Sequence, residues 1–217
     1  MEREGKEYKG SAITVRFERS RCTHVAECIR RLPAVFDMQR RPWVEPDAAS
    51  ADEVAAVVLR CPTGALHFER HDGGPAEQPP EINTVTVAEY GPLYVHGDVE
   101  VLDEGGVAVL RDTRVGLCRC GASANPPLCD DSHFAIGWDD CSRVDGIPAD
   151  PGATGRGHLQ IWPQKAGPLT IMGSFVLQDS CGNTVLVRDR SLCRCGKSRT
   201  KPLCDGAHLA VTRDNGR

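Results

Sequence analysis

The sequence predicts an α+β chain in which a small, mixed α/β N-terminal domain precedes a mostly-β domain. Three observations support this fold class. Helix and strand patterns alternate over residues 1–71, strict alternation of apolar and polar side chains begins after residue 90, and that second pattern occurs twice. We therefore expect domains at 1–71 and 83–217, joined by a linker over 72–82 that is rich in Pro and Gly.

The first domain contains signals for short helices and strands. Ser50 with Glu53 three residues later forms a capping box, which starts a helix, and Pro33 ends an earlier one. Strands are expected over residues 12–17 and 65–68, and helices over 25–31 and 51–60. An edge strand is expected over 42–46. This order of elements is that of a small α+β sandwich of the ferredoxin type.

The second domain is an internal repeat. The tripeptide Gly-Pro-Leu at 91–93 recurs at 167–169, and alternating apolar and polar side chains follow each copy. Period-two alternation predicts a strand, and the turn residues that come next predict a hairpin. The repeats span about 83–137 and 158–217, and short second strands are expected at 107–110 and 184–187.

A single β-hairpin is only marginally stable in water. We expect the two hairpins to pack their apolar faces together about a pseudo-two-fold axis. Residues 138–157, rich in Asp, Gly and Pro, would then form the long connection between them.

Each predicted hairpin leads into a cysteine cluster of the same spacing: C-x-C, eight residues, C, three residues, H. The candidate ligands are Cys118, Cys120, Cys129 and His133 in the first copy, and Cys193, Cys195, Cys204 and His208 in the second. Three thiolates and one imidazole complete a four-coordinate metal site. This donor set suits an iron–sulfur cluster and also structural zinc.

The second cluster resembles the CDGSH iron–sulfur domain of the mitoNEET-like group, whose signature is C-x-C-x2-S/T-x3-P-x-C-D-G-S/A/T-H. The second copy matches every position, whereas the first has Asp131 where the family has Gly. The family's Gly suggests a backbone position with positive φ, which Asp also tolerates. The resemblance implies a 2Fe–2S cluster in each copy. Because family members with one copy are dimers, this chain resembles a fused dimer.

Four more residues are expected around these clusters. Asp130 and Asp205 each follow a ligand cysteine and are natural N-caps for the turn that carries the histidine. Arg119 and Arg194 each lie between two ligand cysteines. An arginine there is either a solvated charge or a second-layer donor to a cluster sulfide.

The N-terminal domain has three cysteines of its own. Cys22, Cys28 and Cys61, the last followed by Pro, resemble the divergent mono-cluster ferredoxins, including three-cysteine forms with C-x5-C and a distant C-P. Val25 occupies the position of the missing cysteine. The resemblance leaves two readings open: a 3Fe–4S cluster, or a 4Fe–4S cluster with His24 or an outside ligand. A third reading is a structural domain with three buried thiols.

The net charge, the length of the apolar runs and the cysteine spacing limit the classes of protein to which this chain can belong. The net charge of −4 argues against nucleic acid as the main partner, and no run approaches transmembrane length. The charged N-terminus has no apolar signal region, and the 11 cysteines cluster at ligand spacing, outside any disulfide framework. We therefore expect a soluble protein of a reducing compartment, most simply the cytoplasm. Cys141 and Cys181 are expected to be free thiols.

No hydrolase triad, P-loop or dinucleotide fingerprint occurs in the sequence. We expect an electron carrier with three clusters that is not an enzyme and that acts between unidentified redox partner proteins. The alternative is cluster transfer to apo-acceptor proteins or redox and iron sensing, and a third class is a structural zinc protein. Fusion of the two copies is compatible with a monomer.

Overall fold

The computed structural model describes residues 5–140 and 143–210. The chain divides into two compact units, Met1–Gln78 and Pro79–Arg217. Within the described residues strands predominate and the helices are few and short, in keeping with the α+β class. No helix in this part of the chain has the length and apolar character needed to cross a membrane.

The first unit is a three-stranded antiparallel sheet with two helices. The strands are β1 (Lys6–Lys9), β2 (Ile13–Phe17) and β3 (Leu66–Arg70), in the order β1-β2-β3, and the helices are α1 (Glu27–Arg31) and α2 (Ala51–Val58). Apolar side chains of β2, α2 and β3 share one core with Phe36 and Val44. Burial of each such side chain contributes about 1.5–3 kcal/mol.

The predicted helices and the strands β2 and β3 are present in this unit. The capping box is confirmed, because the Ser50 hydroxyl accepts from the Glu53 amide while the Glu53 carboxylate accepts from the Ser50 amide. The predicted edge strand at 42–46 is wrong, since only an isolated bridge forms there, between Phe36 and Val44. Strand β1 has three exposed residues of four and hence no apolar alternation to reveal it.

The second unit contains six strands and one short helix among its described residues. They are β4 (Thr84–Val87), β5 (Leu93–Leu102), β6 (Ala108–Leu117), α3 (Ser132–Ala135), β7 (His158–Pro163), β8 (Leu169–Asp179) and β9 (Thr184–Leu192). The two predicted hairpins are present as β5–β6 and β8–β9. Both second strands run on into the cysteine motifs and are therefore longer than predicted.

Strands β4 and β7, which were not predicted, join the two hairpins. Strand β4 is antiparallel to the first half of β5 and parallel to the second half of β8. Strand β7 is antiparallel to the first half of β8 and parallel to the second half of β5. The apolar faces of both hairpins consequently share one core, which includes Val95, Leu159, Ile171 and Phe175.

Candidate metal centres

The three N-terminal cysteines line one small cavity. Cys22 ends a 3₁₀ turn, Cys28 lies on α1, and Cys61 follows α2. His24 and Val25 line the same cavity. The backbone between Cys22 and Cys28 has positive φ at His24 (46°) and Ala26 (64°), which turns the chain sharply around the cavity.

The electrostatics of this cavity show that the thiols are neighbours. The pKa of Cys28 is raised to about 11, mainly by burial and also by the negative charges of Cys61 and Cys22. Three thiolates without a cation would repel one another at this distance. The protein without metal therefore holds the Cys28 thiol protonated at neutral pH, and metal binding would release that proton.

Arg21 anchors two of the cysteine segments together, a role that the sequence did not reveal. Its side chain is buried and donates a hydrogen bond to the Thr63 carbonyl (2.8 Å). Its Nη1 atom lies 3.4 Å from Glu18 Oε2. Arg21 precedes Cys22 directly, and Thr63 lies two residues after Cys61. An arginine next to a cysteine in the sequence does not predict this hydrogen bond, because the acceptor lies 42 residues away along the chain.

The two cysteine loops of the second unit are closed by matching backbone pairs. The Cys118 amide donates to the Pro127 carbonyl, and the Cys193 amide donates to Pro202, both at 2.8 Å. Bridges between Leu117 and Leu128, and between Leu192 and Leu203, complete the closure. Each loop thus returns its third cysteine to the end of the strand that supplied the first two.

The Ser and Asp residues of the family signature form hydrogen bonds within each loop. The Ser123 and Ser198 hydroxyls donate to the Leu128 and Leu203 carbonyls at 2.7 Å. Asp130 accepts from the amides of Ala124 and Ser132, and Asp205 from those of Arg199 and Ala207. These amide bonds hold the pKa of Asp205 at about 2.

The two aspartates do cap the amides of the histidine turn, but α3 begins one residue later than expected. Its N-cap residue is Asp131, whose side chain makes no capping bond. The prediction that Asp130 is the N-cap is wrong in that respect.

Within each loop the candidate ligands form two close pairs. Cys118 Sγ lies 3.6 Å from Cys120 Sγ, and Cys129 Sγ lies 3.6 Å from His133 Nδ1. The corresponding distances in the second copy are 3.9 and 3.3 Å. Among the described residues, no set of three donor atoms that all lie within 4.8 Å of one another contains atoms from both pairs.

The thiols of the first loop differ in acidity. A hydrogen bond from Cys120 lowers the pKa of Cys118 to about 5, and the same bond raises the pKa of Cys120. Burial raises the pKa of Cys129 to about 12, with Cys118, Asp131 and Asp130 adding to the rise.

The first site is more deeply buried than the second. Cys118, Cys129 and His133 are each less than 5% exposed. In the second copy Cys193 is buried, whereas Cys204 and His208 are half-buried. The second site is consequently the more accessible of the two to solvent and to other proteins.

The two loops touch each other through glycines. A Cβ at Gly121 would lie 3.2 Å from the Arg194 carbonyl oxygen, and one at Gly196 would lie 2.8 Å from the Cys120 carbonyl oxygen. Both glycines have positive φ, 83° and 72°. The C-x-C segment of each copy therefore packs directly against that of the other.

Arg119 is not a solvated charge. It is 3% exposed, donates to the carbonyls of Gly91 and Ala88, stacks on the Trp138 ring and pairs with Asp140 at 3.3 Å. Burial lowers the pKa of Arg119, and Asp140 and the thiols of both copies oppose this shift. The guanidinium thus lies near thiols of the two candidate sites.

Asp140 also pairs with Lys201 of the second loop, at 3.2 Å. This carboxylate therefore connects both loops. Arg194 differs from Arg119, being half-buried, donating to the Gln164 carbonyl and lying 3.9 Å from Glu104.

Two further cysteines are not among the proposed ligands. Cys181 is an exposed thiol in the β8–β9 turn. Cys141 lies outside the described residues.

Comparison with known families gives two matches. Residues 8–71 match the family described as "Divergent 4Fe-4S mono-cluster", and residues 90–134 and 166–209 match "Iron-binding zinc finger CDGSH type". The uncharacterized protein YjdI of Escherichia coli strain K12 is 38% identical over 64 residues, which cover 30% of this chain and 83% of the relative. The protein of the same name from E. coli O157:H7 has the same identity and coverage.

No solved structure matches the chain. Both matching families are those that the sequence motifs indicated, and the CDGSH match covers both copies of the cysteine loop. The chain belongs to the divergent 4Fe–4S mono-cluster family through its N-terminal unit and to the CDGSH iron-binding family through two tandem copies in its second unit.

Proposed function

We propose that this chain is an electron-transfer protein, not an enzyme, that carries three iron–sulfur clusters. Two would be 2Fe–2S clusters with three-Cys, one-His ligation, and the third would be a 3Fe–4S or 4Fe–4S cluster. The proposed ligands are Cys118, Cys120, Cys129 and His133; Cys193, Cys195, Cys204 and His208; and Cys22, Cys28 and Cys61, with His24 or an outside ligand as the fourth in the 4Fe–4S case.

The pairing of donors supports a two-iron cluster over a single zinc ion. A mononuclear tetrahedral site brings four donors together around one point. In each loop the donors instead form a thiol–thiol pair and a thiol–imidazole pair, each closer than 4 Å within itself. This arrangement suits two metal ions, one for each pair.

The observation that carries the proposal is the contact between the two loops. Gly121 packs against the backbone of Cys195, and Gly196 packs against Cys120. A bound 2Fe–2S cluster supplies one-electron chemistry, and an imidazole ligand in place of a thiolate raises its potential. Loops in direct contact suit the passage of electrons between neighbouring sites.

The strand pairing supports the proposed architecture. Strands β4 and β7 exchange partners between the two hairpins in the same way, as expected of a fused dimer about a pseudo-two-fold axis. For the N-terminal unit we propose a divergent ferredoxin-like fold. We further propose a cytoplasmic location, with redox proteins as partners.

Cluster transfer is the second candidate, and the exposure of the second site favours it. Cys204 and His208 are half-buried where Cys129 and His133 are buried. A neutral imidazole ligand must stay unprotonated to hold metal, which makes it a point of release.

One experiment separates the candidate functions. The protein is purified without oxygen, its iron and sulfide are counted, and it is reduced with dithionite and reoxidised with cytochrome c, in the presence and absence of apo-ferredoxin. We expect a red-brown protein that completes the cycle with its iron retained. Iron appearing in ferredoxin during the cycle would favour transfer, and a colourless zinc protein would contradict both.

The two CDGSH sites are expected to differ in potential because of Asp131. Its carboxylate lies within 4.8 Å of Cys129 Sγ and the His133 ring nitrogen. A nearby negative charge opposes reduction; after discounting for screening at this half-exposed group, the effect is on the order of 1 kcal/mol, or a few tens of millivolts. The first site should have the lower potential.

The measurement is a redox titration of the protein and of Asp131→Gly. Two midpoints that converge in the variant are expected. If neither midpoint moves, the carboxylate does not influence the cluster.

A further inference from the structure

The first cluster loop offers one more donor than the second. In the first copy a carboxylate oxygen of Asp131 lies within 4.8 Å of both Cys129 Sγ and a ring nitrogen of His133. In the second copy the corresponding residue is Gly206, which has no side chain. The loops otherwise share their closure, their Ser and Asp bonds and their ligand pairs.

The backbone explains why this side chain is near the ligands. Asp131 has φ 69° and Gly206 has φ 85°, so both residues occupy the left-handed region that the family's glycine suggested. Asp is among the residues that tolerate this region. The first loop therefore keeps the backbone of the second and adds a carboxylate.

The neighbouring acid does not compete for this role. Asp130 accepts hydrogen bonds from the Ala124 amide at 2.7 Å and from the amide and hydroxyl of Ser132, so it is committed to closing the loop. Ionised carboxylate oxygen is an accepted protein ligand for iron and zinc.

We propose that Asp131 is a reserve ligand of the first site. When the imidazole of His133 leaves the metal, a carboxylate oxygen of Asp131 takes its coordination position. One metal–nitrogen bond would break and one metal–oxygen bond would form, with no change in oxidation state. The first site then keeps its metal under conditions in which the second, with Gly206, loses it.

This inference deepens the proposed function and rests on its cluster ligation. Under this inference the two copies have different roles. The first site keeps its cluster and serves electron transfer, and the second is the site from which a cluster can leave. The deeper burial of Cys129 and His133 acts in the same direction.

The test compares matched pairs of full-length variants. His133→Ala and His208→Ala each remove one imidazole, and the iron that each loses to a chelator is followed in imidazole-free buffer by visible absorption and iron counting. We expect His133→Ala to lose its first-site cluster at least about tenfold more slowly than His208→Ala loses its second-site cluster. Adding Asp131→Gly to His133→Ala should speed the loss of the first cluster and leave only the part of the difference that burial causes, whereas adding the exposed Asp139→Gly should not speed it.

A gain of function is available at the second site. A Cβ at Gly206 would meet nothing within 4 Å, so the loop has room for a side chain there. Adding Gly206→Asp to His208→Ala should restore slow loss, and this arm remains informative if His133→Ala does not fold.

Two results would overturn the proposal. One is equal retention in His133→Ala with and without Asp131→Gly, and the other is a His208→Ala/Gly206→Asp variant that loses iron as fast as His208→Ala. Wild-type protein that contains no iron would instead refute the proposed function.

Discussion

Cys22→Ser, Cys28→Ser and Cys61→Ser are each expected to remove one spectroscopic species and leave two 2Fe–2S species unchanged. The reason is that the three thiols line one cavity in the first unit, while the CDGSH ligands belong to the second. The loss should be roughly three or four iron atoms per chain, according to the type of cluster. Electron paramagnetic resonance with iron and sulfide counting measures both quantities.

Cys181→Ser is the matched control, because it removes an exposed thiol that lies at none of the three candidate centres. It should keep the full iron content. A full iron count in all three cavity variants would show that the N-terminal unit is a structural domain with free thiols. His24→Ala tests the fourth ligand, since loss of a 4Fe–4S signal in that variant would assign His24 to the cluster.

His133→Cys and His208→Cys should each lower the potential of their own site and slow the loss of its cluster in acid. Thiolate adds one negative charge to the cluster, and it removes the nitrogen for which protons compete with the metal. The decrease in potential should be on the order of 100 mV. Redox titration gives the potentials, and the decay of visible absorbance at acidic pH gives the rate of loss.

His158→Cys serves as the control, because His158 is a half-exposed strand residue paired with Asp98 and is not a candidate ligand. It should change neither quantity. Acid lability that persists unchanged in the double ligand variant would place the release point elsewhere in the loops.

The sequence predicted the local features of the molecule well. The repeated C-x-C spacing predicted both candidate ligand sets, and in the structure each set forms two close pairs of donors. The Gly in the family signature suggested a positive φ at Asp131, and its φ of 69° confirms that expectation. Such features are carried by a few neighbouring residues.

Features that depend on distant segments were missed. Strand β4 is only four residues long, and its pairing with β8 joins residues about 90 apart in the chain. The burial of Arg119 depends on Trp138 and Asp140, and the Asp140–Lys201 pair spans both loops. No local pattern of charge distinguishes Arg119 from Arg194, although one is buried and the other half-exposed.

The exchange of β4 and β7 between the hairpins has a consequence for how the second unit is made during synthesis. The second half of β5 pairs with β6 on one edge and gains a partner on its other edge only from β7, and β4 gains its second partner only when β8 has formed. The first cysteine loop therefore emerges from the ribosome before the strands that complete its sheet exist. Until β7 is made, one edge of the second half of β5 is unpaired and open to pairing with other strands.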